Sequence, residues 1–236
     1  MATTTQERKP RAPADPAVNR FIFDDVSWDD YEAMLRIIGN RRIRVNYDQG
    51  RMEIMSPGYE HENSGYLLGR MVDTLTEELE IPIDGGDTTT MRRQDLKRGV
   101  EPDKCYFLYG NAARVQGKRE LILGQDPPPD LVIEVDITSS SVPRLPIFAA
   151  LGIPEVWRFA GNGLQFLHLQ EDGTYRAESH SRAFPWLAVA EIARFLEAGR
   201  NTEKTPWIRQ FRAFVRDELA PRLPQANPRP NGAGPP

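Results

Sequence analysis

The chain has 236 residues, of which 39% are hydrophobic, so it is long enough for one core of roughly 150 to 200 residues plus tails. Its formal net charge of -4 gives no overall positive field of the kind that draws a protein onto nucleic acid or an anionic membrane. The single cysteine, Cys105, excludes an internal disulfide, and no apolar stretch approaches the ~18 residues of a membrane span. We therefore expect one soluble, reduced, cytoplasmic domain.

The two ends of the chain differ in composition from its middle. Residues 1–19 mix Thr, Lys, Arg, Ala and Pro without apolar periodicity, and residues 221–236 are rich in Pro, Gly and Asn. Both segments are expected to be disordered tails. Residues 20–220 are expected to form the folded domain.

Apolar spacing and turn residues predict the elements in chain order. Ser27 is a candidate N-cap for the first helix, and Gln49-Gly50 is a candidate hairpin turn. Helices are predicted at 28–38, 59–80, 144–151, 188–198 and 206–219. Strands are predicted at 42–48, 51–55, 81–84, 88–92, 101–108, 131–138, 155–159, 164–168 and 175–179. This order predicts an α/β fold in which hairpins are added to a core.

Two predicted strands each carry an acid where another apolar residue would be ordinary. Asp103 follows Pro102 at the start of one strand, and Glu134 lies within the run Leu-Val-Ile-Glu-Val of another. An ionised carboxylate costs several kcal/mol to desolvate unless a partner compensates it. The two acids therefore require a metal or an arginine beside them, and a divalent metal held between the strands accounts for both.

The surrounding sequence supplies the other groups that metal-dependent phosphodiester cleavage requires. His61 and Glu62 lie at the acidic start of a predicted helix, and a basic residue follows Glu134 on the next helix. Carboxylate oxygens hold Mg²⁺, the metal activates water, and a nearby cation steadies the phosphate. The order of these residues indicates a nuclease site.

Three segments carry a resemblance to a known family. They are Glu101-Pro102-Asp103, then Pro128 to Val135, then Phe148 to Trp157 with its Gly-Ile-Pro-Glu-Val-Trp sequence. Upstream, Met52 to Pro57 followed by His61 is similar to the start of the family's first core helix. On these segments the chain resembles the Uma-two family of restriction-endonuclease-like proteins, in the PD-(D/E)XK nuclease superfamily, over roughly Ser27 to His168.

The resemblance implies a restriction-endonuclease-like core, a mixed sheet with one helix packed on each side. It further implies a Mg²⁺ or Mn²⁺ site formed by Asp103, Glu134 and the backbone carbonyl of Val135, with DNA as the substrate. Many members carry a lysine on the helix after the glutamate strand, and Arg144 stands at that position here. Arginine supplies positive charge but does not readily lose a proton to act as a base.

Each candidate residue also has an ordinary structural explanation. Asp103 could begin a surface strand, and Glu134 could form a buried ion pair with an arginine. Asp136 shares a strand face with Glu134, so it is either a further acid of the site or a solvated strand end. His61 and Glu62 could simply occupy the favourable N-terminus of a helix.

Three functions remain open at this stage. The leading hypothesis is a metal-dependent DNA endonuclease with Asp103, Glu134 and Arg144 as its catalytic residues. The first alternative is an impaired nuclease fold that binds nucleic acid or another protein without cutting. The second is a structural role in which arginines neutralise both acids. A homodimer is compatible with cutting both strands of a duplex.

Overall fold

The computed structural model describes residues 19–86, 89–136 and 142–223, and within these ranges it contains two β-sheets and six α-helices. The strands are β1 (Asn19–Phe23), β2 (Arg44–Asp48), β3 (Arg51–Ser56), β4 (Ile83–Gly86), β5 (Met91–Arg93), β6 (Arg98–Val100), β7 (Lys104–Leu108), β8 (Leu131–Asp136), β9 (Glu155–Ala160), β10 (Gly163–Leu169) and β11 (Tyr175–Glu178). The helices are α1 (Trp28–Ile38), α2 (Tyr59–Glu78), α3 (Gly110–Val115), α4 (Arg144–Ala150), α5 (Val189–Arg200) and α6 (Lys204–Phe214). A π-helical turn at Val215–Leu219 and a 3-10 turn at Ala220–Arg222 follow α6.

The first sheet is antiparallel and has the strand order β1-β3-β2-β6-β5. Gln49 and Gly50 connect β2 to β3 and both have positive φ, which suits a tight hairpin turn. Helix α1 begins with a capping box between Ser27 and Asp30 and packs Tyr31 against this sheet. The sheet therefore has a small core of its own beneath α1.

The second sheet is mixed and has the order β11-β10-β9-β8-β7-β4. Strands β8 and β9 are parallel and α4 connects them, while the other neighbours are antiparallel. Ile133 and Val135 of β8 face the core formed with α2, whereas Val132 faces the core formed with α4. Strand β8 is thus buried on both faces, which explains its continuous apolar sequence.

The α/β fold class predicted from the sequence is confirmed, with α2 and α4 on opposite faces of the mixed sheet. Strands β1 and β6 and helix α3 were not predicted. Strand β1 escapes prediction because its pattern is inverted: Phe21 and Phe23 are exposed while Arg20 is half-buried. Strand β6 and helix α3 are too short to show a period.

Parts of the predicted organisation lie outside the described residues. These are residues 1–18 and 224–236 of the expected tails, residue 88 of one predicted strand and residues 137–138 of another. Asn19, assigned to the N-terminal tail, is instead the first residue of β1. Within the described residues, no helix combines the length and apolarity that crossing a bilayer requires.

Candidate active site

Asp103 and Glu134 lie on neighbouring segments of the second sheet. Lys104 opposes Ile133 in the antiparallel pairing of β7 and β8, so continuing this register by one residue sets Asp103 opposite Glu134. The backbone N–H of Val135 donates to Asp103 Oδ2 over 2.6 Å. Both carboxylates are buried. The structure therefore brings together the two acids that the sequence singled out.

The Asp103 carboxylate is paired with an arginine from the other sheet. Arg44 of β2 extends Nη1 to Asp103 Oδ1, and its Nη2 donates to Glu62 Oε1 over 3.0 Å. The Arg44 side chain is buried, whereas the Glu62 carboxylate is exposed. Sequence reasoning missed Arg44, because several arginines lie in this stretch and no local spacing marks Arg44 among them. It is the residue that connects the two sheets at this site.

The Glu134 carboxylate is paired with the arginine that the sequence predicted to face it. Arg144 Nη1 of α4 contacts Glu134 Oε1, while Arg144 Nη2 lies 3.0 Å from the sulfur of Met55 on β3. Burial lowers the pKa of Arg144 to about 10, so the guanidinium remains charged at neutral pH. Glu134 Oε2 is buried and has no hydrogen-bond partner among the described residues.

Two more buried acids lie near the arginines of these ion pairs, Glu53 on β3 and Glu101 in the connection between β6 and β7. Glu53 is paired with Arg20 over 3.0 Å and accepts a hydrogen bond from the Asn46 amide. Glu101 accepts hydrogen bonds from the Val45 N–H over 2.8 Å and from a threonine hydroxyl, and burial raises its pKa. Sequence reasoning assigned no role to Arg20, Glu53 or Glu101. Glu53 and Glu101 therefore add two further buried carboxylates to this region.

His61 lies beside this group in an uncharged form. Its Nε2 is 3.4 Å from Asp103 Oδ2, and its side chain is buried. Burial, assisted by the neighbouring Arg44 and Arg144, lowers the pKa of His61 to about 3. At neutral pH this imidazole therefore adds no positive charge against Asp103.

Asp136 has a separate partner. Arg158 of β9 donates to its carboxylate through Nη2 over 2.6 Å. This pair is part-exposed, since the Arg158 side chain is 30% exposed. Asp136 is therefore neither unpaired nor simply a solvated strand end.

The described residues contain no cluster of three or more His, Cys, Asp and Glu side chains arranged to hold a metal ion. The arginines instead occupy positions against Asp103 and Glu134, as the ion-pair explanation of these acids required. The chemistry of the donor set nevertheless fits a hard divalent cation, because two carboxylates lie on adjoining segments and Glu134 Oε2 lacks a donor.

A cleft of about 670 Å³ opens over Asp103. Its lining includes Arg41 and Arg42, which are exposed at the rim. The basic segment at residues 92–98 is less available than its sequence suggests, since Arg92, Arg93 and Arg98 form ion pairs with nearby acids. The short loop between α1 and β2 thus supplies positive charge where the carboxylates are reached.

Comparison with known proteins identifies the family. The model of Uma2, described as "Putative restriction endonuclease", matches residues 28–196, which include both acids and Arg144. The chain belongs to the Uma2 family. A crystal structure from Anabaena variabilis, described as "a putative nuclease belonging to DUF820", is similar with a TM-score of 0.44 and 12% identity, over 80% of this chain and 99% of that one. No curated protein matches this Uma2 chain.

Proposed function

We propose that this Uma2 protein is a metal-dependent endonuclease that hydrolyses phosphodiester bonds in DNA. The observation that carries the proposal is the buried pair of neighbouring acids Asp103 and Glu134, of which Asp103 lines a cleft with arginines on its rim. Membership of the Uma2 family supports the same reaction.

In this mechanism the carboxylates of Asp103 and Glu134, with the carbonyl of Val135, would hold Mg²⁺ or Mn²⁺. The bound ion supplies an activated water and screens the charge of the phosphate. Arg144 keeps Glu134 in place through its ion pair, and its fixed positive charge would lie behind the acid pair, close to where the phosphodiester binds. The neutral His61 lies beside Asp103 and adds no positive charge that would repel the cation.

The basic rim of the cleft guides the substrate. Arg41 Nη1 donates to the carbonyl of Ile38 at the end of α1, so this guanidinium is held at the rim. Arg42 is exposed next to it. Cations at such positions bind a nucleic-acid backbone without reading its sequence. A homodimer would present two such clefts, one for each strand of a duplex.

Cleavage assays with the purified full chain test this function. Plasmid, linear duplex, single-stranded DNA and RNA are incubated with Mg²⁺, Mn²⁺ or EDTA. We expect metal-dependent cleavage of DNA that Glu134→Gln reduces at least about 100-fold, because losing a direct ligand should exceed the cost of losing a residue that only orients one.

Glu171→Gln is the matched control, since Glu171 is an exposed acid in the turn between β10 and β11. It should cleave like the native protein. Cleavage that persists in EDTA, or that Glu134→Gln retains in full, would contradict the proposal. Salt-sensitive DNA binding without any cleavage would instead identify a binding module.

A further inference from the structure

Arg44 stands between Asp103 and any cation that the cleft takes up. We propose that Arg44 is a positioning residue that competes with the divalent cation for Asp103 and gives way when it binds a phosphodiester. This inference rests on the proposed function and deepens it: the nucleic acid and the metal would then bind cooperatively.

The two oxygens of Asp103 have different surroundings. Oδ2 accepts the N–H of Val135 over 2.6 Å and faces His61, so it is fixed to the second sheet. Oδ1 is the oxygen paired with Arg44. A divalent cation that coordinates Oδ1 must displace the guanidinium, because like charges repel strongly at contact distance in a buried site.

Arg44 has a second carboxylate within reach. Its Nη2 already donates to Glu62 Oε1 over 3.0 Å, and the Glu62 side chain is 54% exposed in the cleft. Moving away from Asp103 therefore leaves the guanidinium paired with Glu62. A guanidinium in that position can also bind a phosphate through two parallel hydrogen bonds.

Arg144 is placed differently. Its side chain is about as buried as that of Arg44, but Arg144 does not line the cleft, and its Nη2 lies against the sulfur of Met55 rather than beside an exposed carboxylate. Of the two guanidiniums on the acid pair, Arg44 is thus the one that a ligand in the cleft would meet. Arg144 stays on Glu134 whether or not a metal is bound.

Competition between Arg44 and the cation for Asp103 couples the binding of the cation to the binding of nucleic acid. A phosphodiester that holds Arg44 away from Asp103 raises the affinity for the cation, and the cation raises the affinity for nucleic acid by the same factor. We expect that factor to be about tenfold, within the usual range for coupling between sites. Without nucleic acid, the protein binds the cation weakly.

Calorimetric titration of the full chain with Mn²⁺ measures this coupling directly. The titration is repeated with a duplex oligonucleotide made resistant to hydrolysis by phosphorothioate linkages. For the native protein, the oligonucleotide should tighten Mn²⁺ binding about tenfold. Arg44→Gln should bind Mn²⁺ about tenfold more tightly than the native protein without the oligonucleotide, and the oligonucleotide should then add little.

Arg98→Gln is the matched control. Arg98 lies on β6 in the same sheet and pairs with Asp48 over 2.8 Å, but it does not line the cleft. This variant should show the native affinity and the native coupling. Circular dichroism establishes that each variant is folded. If Arg44→Gln does not fold, Arg44→Lys replaces it, and the loss of the planar fork should reduce the coupling.

The outcomes separate this inference from the proposed function. If Glu134→Gln abolishes Mn²⁺ binding while the folded Arg44 variant keeps native affinity and coupling, the role of Arg44 is wrong and the metal centre stands. If Glu134→Gln binds Mn²⁺ as tightly as the native protein, the proposed metal centre fails and the inference fails with it.

Discussion

At the scale of single residues, the acids of the cleft and their arginines depend on one another. Glu134 is buried with Arg144, and Asp103 is buried with Arg44. Such pairs add little net stability when formed, yet removing one partner leaves a buried charge and costs about 3–5 kcal/mol. Substitutions in this cleft therefore change stability as well as activity, and the two effects must be measured separately.

Arg144 provides the sharpest residue-level prediction. Arg144→Ala should abolish cleavage and lower the free energy of unfolding by about 3–5 kcal/mol, because Glu134 loses its buried partner. Arg144→Lys should keep or increase cleavage, because lysine supplies a compact charge at the same place. Urea denaturation measures the stability change, and the plasmid assay measures cleavage.

Arg158→Ala is the comparison variant for Arg144. Arg158 also pairs with an acid of β8, Asp136, but its side chain is 30% exposed. Its removal should cost only about 0–1 kcal/mol, as for other solvent-accessible pairs. Native cleavage by Arg144→Ala, in a protein confirmed to be folded, would remove Arg144 from the catalytic residues.

The sequence revealed only part of this site. Asp103 and Glu134 were recognisable because each places a charge in a strand that is otherwise apolar. Arg144 was identified from the resemblance to the Uma2 family, in which many members carry a lysine at that position. Arg44 was not recognisable, since its partner lies on the other sheet and no local spacing links them. Contacts between separate elements depend on tertiary packing, which a single sequence does not encode locally.

At the scale of elements, the first sheet places Arg44 beside the acids of the second sheet. Helix α1 packs on the first sheet through a close contact between Tyr31 and Gly99. Gly99 of β6 lies directly beneath Tyr31 of α1, where an added Cβ would come within 2.1 Å of the Tyr31 hydroxyl oxygen. The Tyr31 ring is fully buried and stacks on Tyr47 of β2 at 4.9 Å between centroids. Space for a side chain at position 99 is therefore absent.

We expect Gly99→Ala to destabilise the protein by about 1–3 kcal/mol, the usual cost of overpacking a core. Gly161→Ala is the matched control, because no atom lies within 4 Å of its added Cβ. Thermal denaturation of both variants measures the difference. Equal midpoints would show that Tyr31 moves aside without cost, which would contradict the close packing of α1.

Prediction from sequence succeeded for α2, in which the hydrophobic spacing of a helix repeats over several turns, and failed for β1, whose pattern is short and inverted. Helix α2 has 20 residues and buries one side along its length, so its spacing was unambiguous. Strand β1 has five residues, and its two phenylalanines face outward, so burial and hydrophobicity disagree there. Its place is fixed by pairing with β3 rather than by its own pattern.

At the scale of the whole molecule, the boundaries of the domain follow from the outermost ion pairs. Arg20 of β1 is paired with the buried Glu53, and Arg222 is paired with Glu191 of α5. Residues 1–18 and 224–236 lie beyond these contacts. Their composition offers few apolar groups for a core.

Removing residues 1–18 and 224–236 should shift the thermal midpoint by less than about 2 °C, since a change of 1 kcal/mol moves the midpoint of a domain this size by ~2–4 °C. Extending the N-terminal deletion to Phe23 is the comparison. It removes β1 and leaves Glu53 buried without Arg20, so the midpoint should fall sharply. A large fall with the shorter deletion would show that a terminal segment packs on the domain.

The junction of two sheets at the cleft also determines when the candidate site can form during synthesis of the chain. Arg144 and Met55 touch although they lie 89 positions apart in the chain, and Val45 meets Glu101 across 56 positions. Contacts of such separation form late and slowly, because the intervening chain must first be closed into loops. The acids, their arginines and the cleft therefore come together only after β8 and α4 have left the ribosome. A chain from which β8 and α4 are still missing therefore has no assembled acid pair, whatever reaction that pair supports.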